Sequence, residues 1–334
     1  MLRADDVLQA SREAGFHLAG LARAEALDGA PLDRWLQRGM AASMSPWMAE
    51  RRAQRLDPRV LLPGAKTVLA LGCCVRHRGQ IPSSPIARYA QGRDYHATMR
   101  DRLRALRRGL AKLSPPPKDY AEADTGPVLE KIWAQRAGLG WLGKNGLLIA
   151  PGHGSHVVLA VMVLDAEVDR YAEPAPEHCG RCTACLAGCP TKAIVEPGVV
   201  DSRLCLSYQT IEDHGPYAEN LREHGRWAFG CDACQDACPW NKADHACDDP
   251  RFEPRPVASL SMVDLALLDR TRFVELTRGT AVARARFEGL RRNAAVVLGA
   301  RRDAECPRLS PLLSDPDESV REAARWALER ASAR

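Results

Sequence analysis

The sequence predicts an α+β protein built in three parts, and three features of the chain support this prediction. Short apolar stretches with strand character are mixed with helical patterns up to about residue 165. Eight cysteines then occur between Cys179 and Cys238, in a segment where proline and glycine are frequent. From about Ser259 onward, apolar residues recur at helical spacing. We therefore expect an α/β domain at residues 1–165, a cysteine-rich module at 166–250 and an all-α segment at 251–334.

The first part is predicted to combine helices with a few short, buried strands. Residues 1–60 read as helical, because apolar side chains such as Val7, Ala14 and Leu18 share helix spacing. Short continuous apolar runs between turn signals indicate buried strands. Strands are therefore expected at Thr67–Leu71, Gly146–Ala150 and Val157–Leu164, and helices at residues 95–113 and Val128–Ala137.

The last part is predicted to be a helical unit with an excess of arginine. Helices are expected at Phe287–Gly299 and Ser319–Arg330, joined by a loop that contains two prolines. The stretch Asp315–Arg321 resembles the turn and second helix of a HEAT-type repeat, and one such pair must pack on preceding helices to bury a core. Residues 270–334 hold 14 arginines, no lysine and nine acidic residues, so the whole net charge of +5 lies there.

The composition is that of a folded protein without a membrane-spanning helix. Of 334 residues, 46% are hydrophobic and 27% are charged. No stretch approaches the roughly 18 apolar residues that a membrane helix needs, and the N-terminus has no apolar run. We therefore expect a cytoplasmic, monomeric protein. Twelve cysteines in that compartment predict metal or cluster ligation, because reducing thiol pools disfavour disulfides.

The spacing of the cysteines predicts two [4Fe–4S] clusters. A run of the form C-x2-C-x2-C-x3-C-P begins at Cys179, and in two-cluster ferredoxins the last cysteine of such a run serves the neighbouring cluster. A second run, C-x2-C-x3-C-P, begins at Cys231 and is one cysteine short, so Cys205 brings the total to eight. We expect a ferredoxin-like module with crossed ligation. Its first cluster would be held by Cys179, Cys182, Cys185 and Cys238, and its second by Cys189, Cys205, Cys231 and Cys234.

A pair of structural zinc sites is the alternative interpretation of these cysteines. The Cys-Pro endings and the uneven spacing of the two runs disfavour it. The other cysteines are predicted to be buried apolar side chains rather than ligands, and they are Cys73, Cys74, Cys247 and Cys306.

The stretch Gly138–Gly143 matches the dinucleotide fingerprint G-x-G-x-x-G, but its surroundings do not fit. The fingerprint follows a strand and opens a helix, whereas here a predicted helix comes first and a predicted strand follows. We expect these glycines to let the backbone approach some other flat ligand closely.

Several longer strings of residues carry a family resemblance. In the first part they are residues 87–96 (ARYAQGRDYH), 124–131 (DTGPVLEK) and 137–145 (AGLGWLGKN). In the cysteine-rich part they are residues 205–212 (CLSYQTIE), 230–235 (GCDACQ) and 238–241 (CPWN). Together these strings resemble the tRNA epoxyqueuosine reductases, and the match extends over nearly the whole chain. That family is related to reductive dehalogenases, which share a core of cobalamin and two clusters.

The resemblance implies an enzyme whose N-terminal domain binds cobalamin and which performs the last step of queuosine synthesis. Such enzymes reduce the epoxide of epoxyqueuosine in the tRNA anticodon loop to an alkene. Electrons pass through the clusters to cobalamin, and cob(I)alamin attacks an epoxide carbon. Asp124 matches the family's proton donor, and burial would have to raise its pKa for it to act near neutral pH. The alternative role for Asp124 or Thr125 is to cap the helix that Pro127 opens.

The resemblance also implies how cobalamin is bound. The D-x-H-x-x-G motif that supplies an axial histidine is absent, because Met99 stands in place of its glycine after Asp94 and His96. We therefore expect base-off cobalamin without an axial histidine from the protein, and a structural or substrate-facing His96. Cobalamin contacts are predicted at Trp47, Arg88, Asp124, Lys144, Asn145, Ser207, Asp232 and Ala233.

The arginine-rich helices are expected to bind the phosphate backbone of a tRNA anticodon stem-loop with little base readout. A flavodoxin or ferredoxin is the expected external electron donor. Contacts to tRNA are predicted at Arg284, Arg286, Arg291 and Arg292.

Two other functions remain open at this point. A reductive dehalogenase acting on a small organohalide is disfavoured by the basic helical tail and by the N-terminus, which has no export leader. A plain electron-transfer ferredoxin with appended domains is disfavoured by Asp124 and by the string at residues 138–145.

Overall fold

A computed structural model describes residues 1–242 and 246–332 and shows the mixture of helices and strands that the sequence predicts. The strands are β1 Leu18–Arg23, β2 Thr67–Cys74, β3 Asp119–Glu122, β4 Trp141–Leu142, β5 Leu148–Ile149, β6 Val157–Leu164, β7 Ile194–Glu196 and β8 Val199–Val200. The helices of the first part are α1 Ala4–Glu13, α2 Ala30–Gln37, α3 Ser45–Glu50, α4 Arg52–Leu56, α5 Pro58–Leu61, α6 Tyr95–Leu110 and α7 Glu130–Arg136.

The remaining helices belong to the cysteine-rich and C-terminal parts. They are α8 Ala184–Gly188, α9 Leu206–Ile211, α10 Glu219–Arg222, α11 Ala233–Asp236, α12 Met262–Ala266, α13 Arg270–Thr277, α14 Arg286–Arg301 and α15 Glu318–Ser332. Short 3-10 segments lie at Ala42–Met44, Arg88–Ala90, Ser202–Leu204, Pro239–Asn241, Pro250–Phe252, Pro256–Ser259, Ala281–Ala285 and Cys306–Ser314. None of the helices described has the length and apolar character needed to cross a bilayer.

A four-stranded sheet forms the centre of the first part. Its strands lie in the order β1-β2-β6-β3, and every neighbouring pair is antiparallel. Leu69 and Leu71 of β2 face a core formed with α1 and α6, whereas Val68 and Ala70 face a core formed with α2, α4 and α7. Because both faces are covered by helices, β2 and β6 are apolar at consecutive positions. This property made both strands predictable from sequence.

The cysteine-rich part packs two short helices closely together. A Cβ atom placed on Gly188, at the end of α8, would lie 2.6 Å from the Cβ of Ala237, which follows α11. The segment is tied to the first part by a parallel bridge between Ile86 and Phe229. The two cysteine runs are thereby brought side by side, as a crossed arrangement of ligands requires.

The C-terminal part is a helical unit, as predicted, and α14 packs along α15. Its apolar core includes Leu290 and Val297 of α14 and Ala323 of α15. The same core extends into the cysteine-rich part through Leu206 and Phe229. The two predicted helices are confirmed, and the likeness to a HEAT-type repeat stays a prediction.

Three strands of the first part were missed by the sequence patterns, namely β1, β3 and the two-residue β4. The helical prediction for residues 1–60 is wrong at β1, whose Gly20 packs so closely that a Cβ would stand 2.0 Å from the carbonyl oxygen of Ala137. The edge strand β3 has four half-buried residues and therefore no apolar run.

Two glycines of the stretch Gly138–Gly143 lie against protein backbone. A Cβ would lie 3.0 Å from the carbonyl oxygen of Glu173 at Gly138 and 2.1 Å from that of Ile149 at Gly140.

We expect Gly299→Ala to lower the free energy of unfolding by about 1–3 kcal/mol through overpacking. A Cβ at Gly299 would lie 2.7 Å from the Cα of Ala327 on α15. Gly289→Ala on the same helix is the control, because no atom lies within 4 Å of its added Cβ. That variant should gain about 0.5–1 kcal/mol from helix propensity. Chemical denaturation measures both, and equal effects would contradict the packing described.

Candidate active site

The cysteine-rich part and the sheet of the first part enclose a cavity of about 560 Å³. The strand β6 and the residues before it contribute Ser155, His156 and Val157 to its wall. Ala193, whose N–H donates to the Sγ of Cys189 at 3.2 Å, lies on the opposite wall. All four cysteines of the second predicted set line this cavity, namely Cys189, Cys205, Cys231 and Cys234.

A smaller cavity lies beside it and brings the first predicted set together, namely Cys179, Cys182, Cys185 and Cys238. The indole N–H of Trp141 points at the Sγ of Cys179, 3.4 Å away. Lys144 holds the loop between the cysteines, since its ammonium donates to the carbonyls of Gly180 at 2.6 Å and Cys182 at 3.0 Å. All twelve cysteines are free of disulfides. Donors to the sulfurs and a fixed loop are what an iron–sulfur site needs around its ligands.

Asn145 lies between the two cavities and lines both. Its side chain is buried, and its Nδ2 has no hydrogen-bond partner among residues 1–242 and 246–332. A buried amide donor without a partner costs free energy, so such a group is expected to be satisfied by a ligand. The donor set therefore fits a polar prosthetic group at this point of the wall.

Asp124 lies where the large cavity meets a second opening of about 370 Å³, and it lines both of them. Tyr89 shares this position. The second opening leads past His96 and Arg100 to Arg284. Asp124 does not cap a helix, because α7 begins at Glu130, six residues later. The capping alternative is therefore wrong.

A chain of hydrogen bonds connects Asp124 to the start of α6. The Oδ2 of Asp124 lies 3.0 Å from the Nε2 of His96, and the Nδ1 of His96 lies 2.8 Å from the Oδ1 of Asp94. Asp94 also accepts the backbone N–H of His96 at 2.9 Å, which fixes the first turn of α6. The ring of Tyr95 stacks on the imidazole with centroids 4.0 Å apart. The imidazole is therefore held in one orientation between two carboxylates.

This arrangement places the proton on the histidine. Burial alone would raise the pKa of Asp124, but the hydrogen bond and charge of His96 outweigh it and hold that pKa below its usual value. Burial alone would lower the pKa of His96, but the hydrogen bonds to Asp124 and Asp94 raise it to about 9. Within the protein itself the pKa of Asp124 is therefore lowered, because the carboxylate is paired with an imidazolium, and a rise on burial against corrin and substrate stays a prediction.

Known proteins resemble this chain along most of its length. Residues 178–241 match a family described as a 4Fe-4S double cluster binding domain, and residues 55–125 match one described as Epoxyqueuosine reductase QueG, DUF1730. An epoxyqueuosine reductase from Gloeobacter violaceus is 40% identical over 310 residues, which cover 88% of this chain and 95% of the relative. This chain belongs to the epoxyqueuosine reductase family. It therefore carries a segment that binds two iron–sulfur clusters.

Solved structures of epoxyqueuosine reductases share the fold. One holds a tRNA-Tyr stem-loop modified with epoxyqueuosine; it is 28% identical with a TM-score of 0.88, covering 98% of this chain and 89% of that one. Another, from Bacillus subtilis, has its aspartate-bearing catalytic loop swung out of the active site; it is 28% identical with a TM-score of 0.87, covering 98% and 90%. The α+β fold predicted from the sequence is confirmed.

The residues predicted to contact cobalamin divide into two groups. Asp124, Asn145, Ser207 and Ala233 line the large cavity. The others lie elsewhere within the described structure: Lys144 belongs to the smaller cavity, and Arg88 forms ion pairs with Asp232 and Asp236. Trp47 is 40% exposed and stacks on the guanidinium of Arg55. Trp47, Arg88, Lys144 and Asp232 are not among the residues that line this cavity, and their contacts with cobalamin stay predictions.

The tRNA contacts predicted in α14 need a similar correction. Arg291 and Arg292 are buried, Arg291 in an ion pair of 2.7 Å with Asp315 and Arg292 against backbone carbonyls of residues 209–215. A buried guanidinium cannot reach a phosphate group without unfolding its surroundings, so these two predictions are wrong. Arg284 and Arg286 are exposed, and Arg284 pairs with Glu212 at the second opening.

Several residues that line the large cavity and the second opening were not predicted from the sequence. His156 is buried against the large cavity, and burial together with Arg88 and Arg76 lowers its pKa to about 3, so it is neutral. Lys131 lines the same cavity and donates to the carbonyl of Gly146 at 2.7 Å. The polar pair Ser155-His156, directly before the apolar strand β6, could have indicated this part of the wall. No sequence pattern distinguishes Arg100, because it is one of several arginines on α6.

The imidazole of His96 should titrate near pH 9, well above the roughly 6.5 of a free histidine. Asp124→Asn removes the charge that holds the proton, so the His96 pKa should fall by about one to two pH units. Histidine ¹⁵N NMR over about five pH units, from pH 5 to 10, measures the pKa of His96 in the wild type and in the variant. Asp119→Asn, which breaks an ion pair with Arg107, is the control. A His96 titration that Asp124→Asn leaves in place would contradict the pairing.

Proposed function

We propose that this protein reduces the epoxide of epoxyqueuosine in a tRNA anticodon stem-loop, giving queuosine, with electrons carried by two [4Fe–4S] clusters and cobalamin. The observation that carries the proposal is the position of Asp124. It stands at the shared wall of a cavity lined by four cysteines and an opening lined by arginines. Membership of the epoxyqueuosine reductase family and the tRNA stem-loop bound by one relative support the same reaction.

The clusters are proposed to take the two cysteine sets that line the two cavities, four in each. Cys182 is the exposed member of its set, so we place electron entry from a flavodoxin or ferredoxin at the smaller cavity. The proposed division is a cobalamin domain at residues 1–165, a cluster module at 166–250 and a tRNA-binding helical segment at 251–334. The protein would act as a monomer in the cytoplasm.

Cobalamin is proposed to occupy the large cavity, base-off and without an axial histidine from the protein. When bound, it would supply the reduced cobalt centre that opens the epoxide. Asn145, Ser207 and Ala233 would hold it, and the unpartnered Nδ2 of Asn145 supports this assignment. Apolar side chains such as Val157 and Val158 would exclude water from its face.

The chain itself would deliver the proton. Reduction of an epoxide to an alkene consumes two electrons and two protons and releases water, so an acid must protonate the oxygen before it leaves. The first proton would pass from the Nε2 of His96 through the Oδ2 of Asp124, 3.0 Å away, and solvent would supply the second. Asp94 stabilises the imidazolium from its other nitrogen. The aspartate-bearing catalytic loop of the Bacillus subtilis relative supports this role for Asp124.

The tRNA would approach from the second opening. Arg100 of α6 and Arg284 line this opening, and Arg286 is exposed two residues after Arg284. Guanidinium groups around the entrance would bind backbone phosphates and place the modified base against Asp124.

We expect Asp124→Asn to lower the rate of epoxyqueuosine conversion by about 10²–10⁴-fold, because an amide cannot donate the proton. Iron content and stem-loop affinity should stay unchanged. Anaerobic turnover of a modified anticodon stem-loop, followed by mass spectrometry of the nucleosides, measures the rate, with Asp119→Asn as control. Wild-type protein with intact clusters and cobalamin that leaves epoxyqueuosine untouched would remove the proposed function, and turnover of a halophenol would favour the dehalogenase alternative.

Iron analysis tests the cluster ligands separately. The reconstituted protein should hold about eight irons per chain, and Cys182→Ala should reduce this to about four by removing one cluster. Cys306→Ala should keep the full content, because Cys306 is buried in the C-terminal core away from both cavities. Zinc in place of iron would support the structural-zinc alternative.

A further inference from the structure

The turn that carries Asp124 has an unfavourable backbone conformation. The φ angle of Asp124 is +64°, in a region that residues with a side chain rarely adopt. The N–H of Thr125 donates to the carbonyl of Ala123 at 2.7 Å, which closes a three-residue turn around Asp124. Turns of this kind with positive φ are rare and strained. The surrounding structure must therefore hold Asp124 in place.

Glu130 makes the direct contact to the backbone of this turn. Its Oε1 accepts the backbone N–H of Asp124 at 2.9 Å, from the first position of α7. Next to the turn, the guanidinium of Arg55 makes a long contact of 3.5 Å to the carbonyl oxygen of Gly126. His96 contacts the carboxylate of Asp124 and so orients its side chain rather than its backbone.

The position of Glu130 is costly for the folded state. Burial, followed by the charge of Asp124, raises the pKa of Glu130 to about 7, although Lys131 acts in the opposite direction. Arg55 and Tyr120 also face this carboxylate. A carboxyl group whose pKa is raised in the folded state makes the protein less stable as pH rises through that window. Stability therefore does not explain an acidic residue at this position. Buried groups with strongly shifted pKa values are typical of functional sites.

We propose that Glu130 is a positioning residue, which holds the Asp124 turn against the shared wall of the two cavities by accepting the Asp124 N–H. The inference rests on the proposed function, since it assigns Glu130 a role in the proton delivery by Asp124. Glu130 need not touch the substrate. Its effect passes through the backbone of the residue that does.

Three variants separate this role from a purely structural one. Glu130→Ala removes the acceptor, Glu130→Gln keeps an amide oxygen in its place, and Glu167→Ala is the control. Glu167 is exposed, lies outside the turn and is not among the residues that line the two cavities. Hydrogen–deuterium exchange of the peptide covering residues 122–126 reports the turn directly, in protein that need not be turning over.

We expect amide exchange at Asp124 to become about tenfold faster in Glu130→Ala, the effect of one lost charge-assisted hydrogen bond. The kcat for the stem-loop should fall by a similar factor while KM stays within about twofold, because substrate binding is untouched. Glu130→Gln should restore most of both values. Glu167→Ala should resemble the wild type. Should Glu130→Ala not fold, Glu130→Asp retracts the carboxylate by one methylene and gives the same two measurements.

Failure of this inference is distinguishable from failure of the proposed function. Inactive wild-type protein removes the proposed function, whereas the exchange measurement still shows whether Glu130 holds the turn. Active wild-type protein with unchanged exchange and kcat in Glu130→Ala overturns the inference. So does a raised KM at constant kcat, which would make Glu130 a binding residue, or a Glu130→Gln variant as impaired as Glu130→Ala.

Discussion

The rest of the structure depends on bringing together two cysteine runs that lie more than forty residues apart in the chain. Crossed ligation requires the end of each run to reach the start of the other. The close contact between Gly188 and Ala237 meets this requirement, because any side chain at Gly188 would push the two short helices apart. The sheet, in turn, gives the cysteine-rich part a rigid wall, and the large cavity exists only where the two surfaces face each other.

The negative charge and the proton of the site are held by two neighbouring residues. Asp124 is an acid that is kept ionised, and its neighbour His96 keeps the proton for it. A carboxylic acid buried without a partner would stay protonated. As a neutral group it would bind the polar groups of a substrate less strongly than a carboxylate does. The task is divided between the carboxylate of Asp124, which faces both cavities, and the imidazole of His96, which is held between Asp94 and Asp124.

Patterns that depend on local chemistry were predictable from the sequence, and contacts made across the fold were not. β2 and β6 were found because burial on both faces leaves a continuous apolar run. The edge strand β3 has no such run, and the edge strand β1 was missed because its apolar residues also fit the helical spacing assigned to residues 1–60. The cysteine spacing indicated two sets of four, and the two cavities contain those sets. The roles of Arg291 and Arg292 were mistaken, because a sequence shows where charge lies along a chain but not which side of a helix faces the core.

The burial of Arg292 has a consequence for how the protein is divided. Its guanidinium reaches the carbonyls of Gln209 and Asp213, on and just after the helix that Cys205 opens. The neighbouring amide of Asn293 bonds to the carbonyls of Thr210 and Ala228 in the same region. The C-terminal helices therefore stabilise the loops of the cysteine-rich part. A shortened chain that ends before α14 would leave the carbonyl groups of Gln209, Thr210, Asp213, Gly215 and Ala228 without these donors.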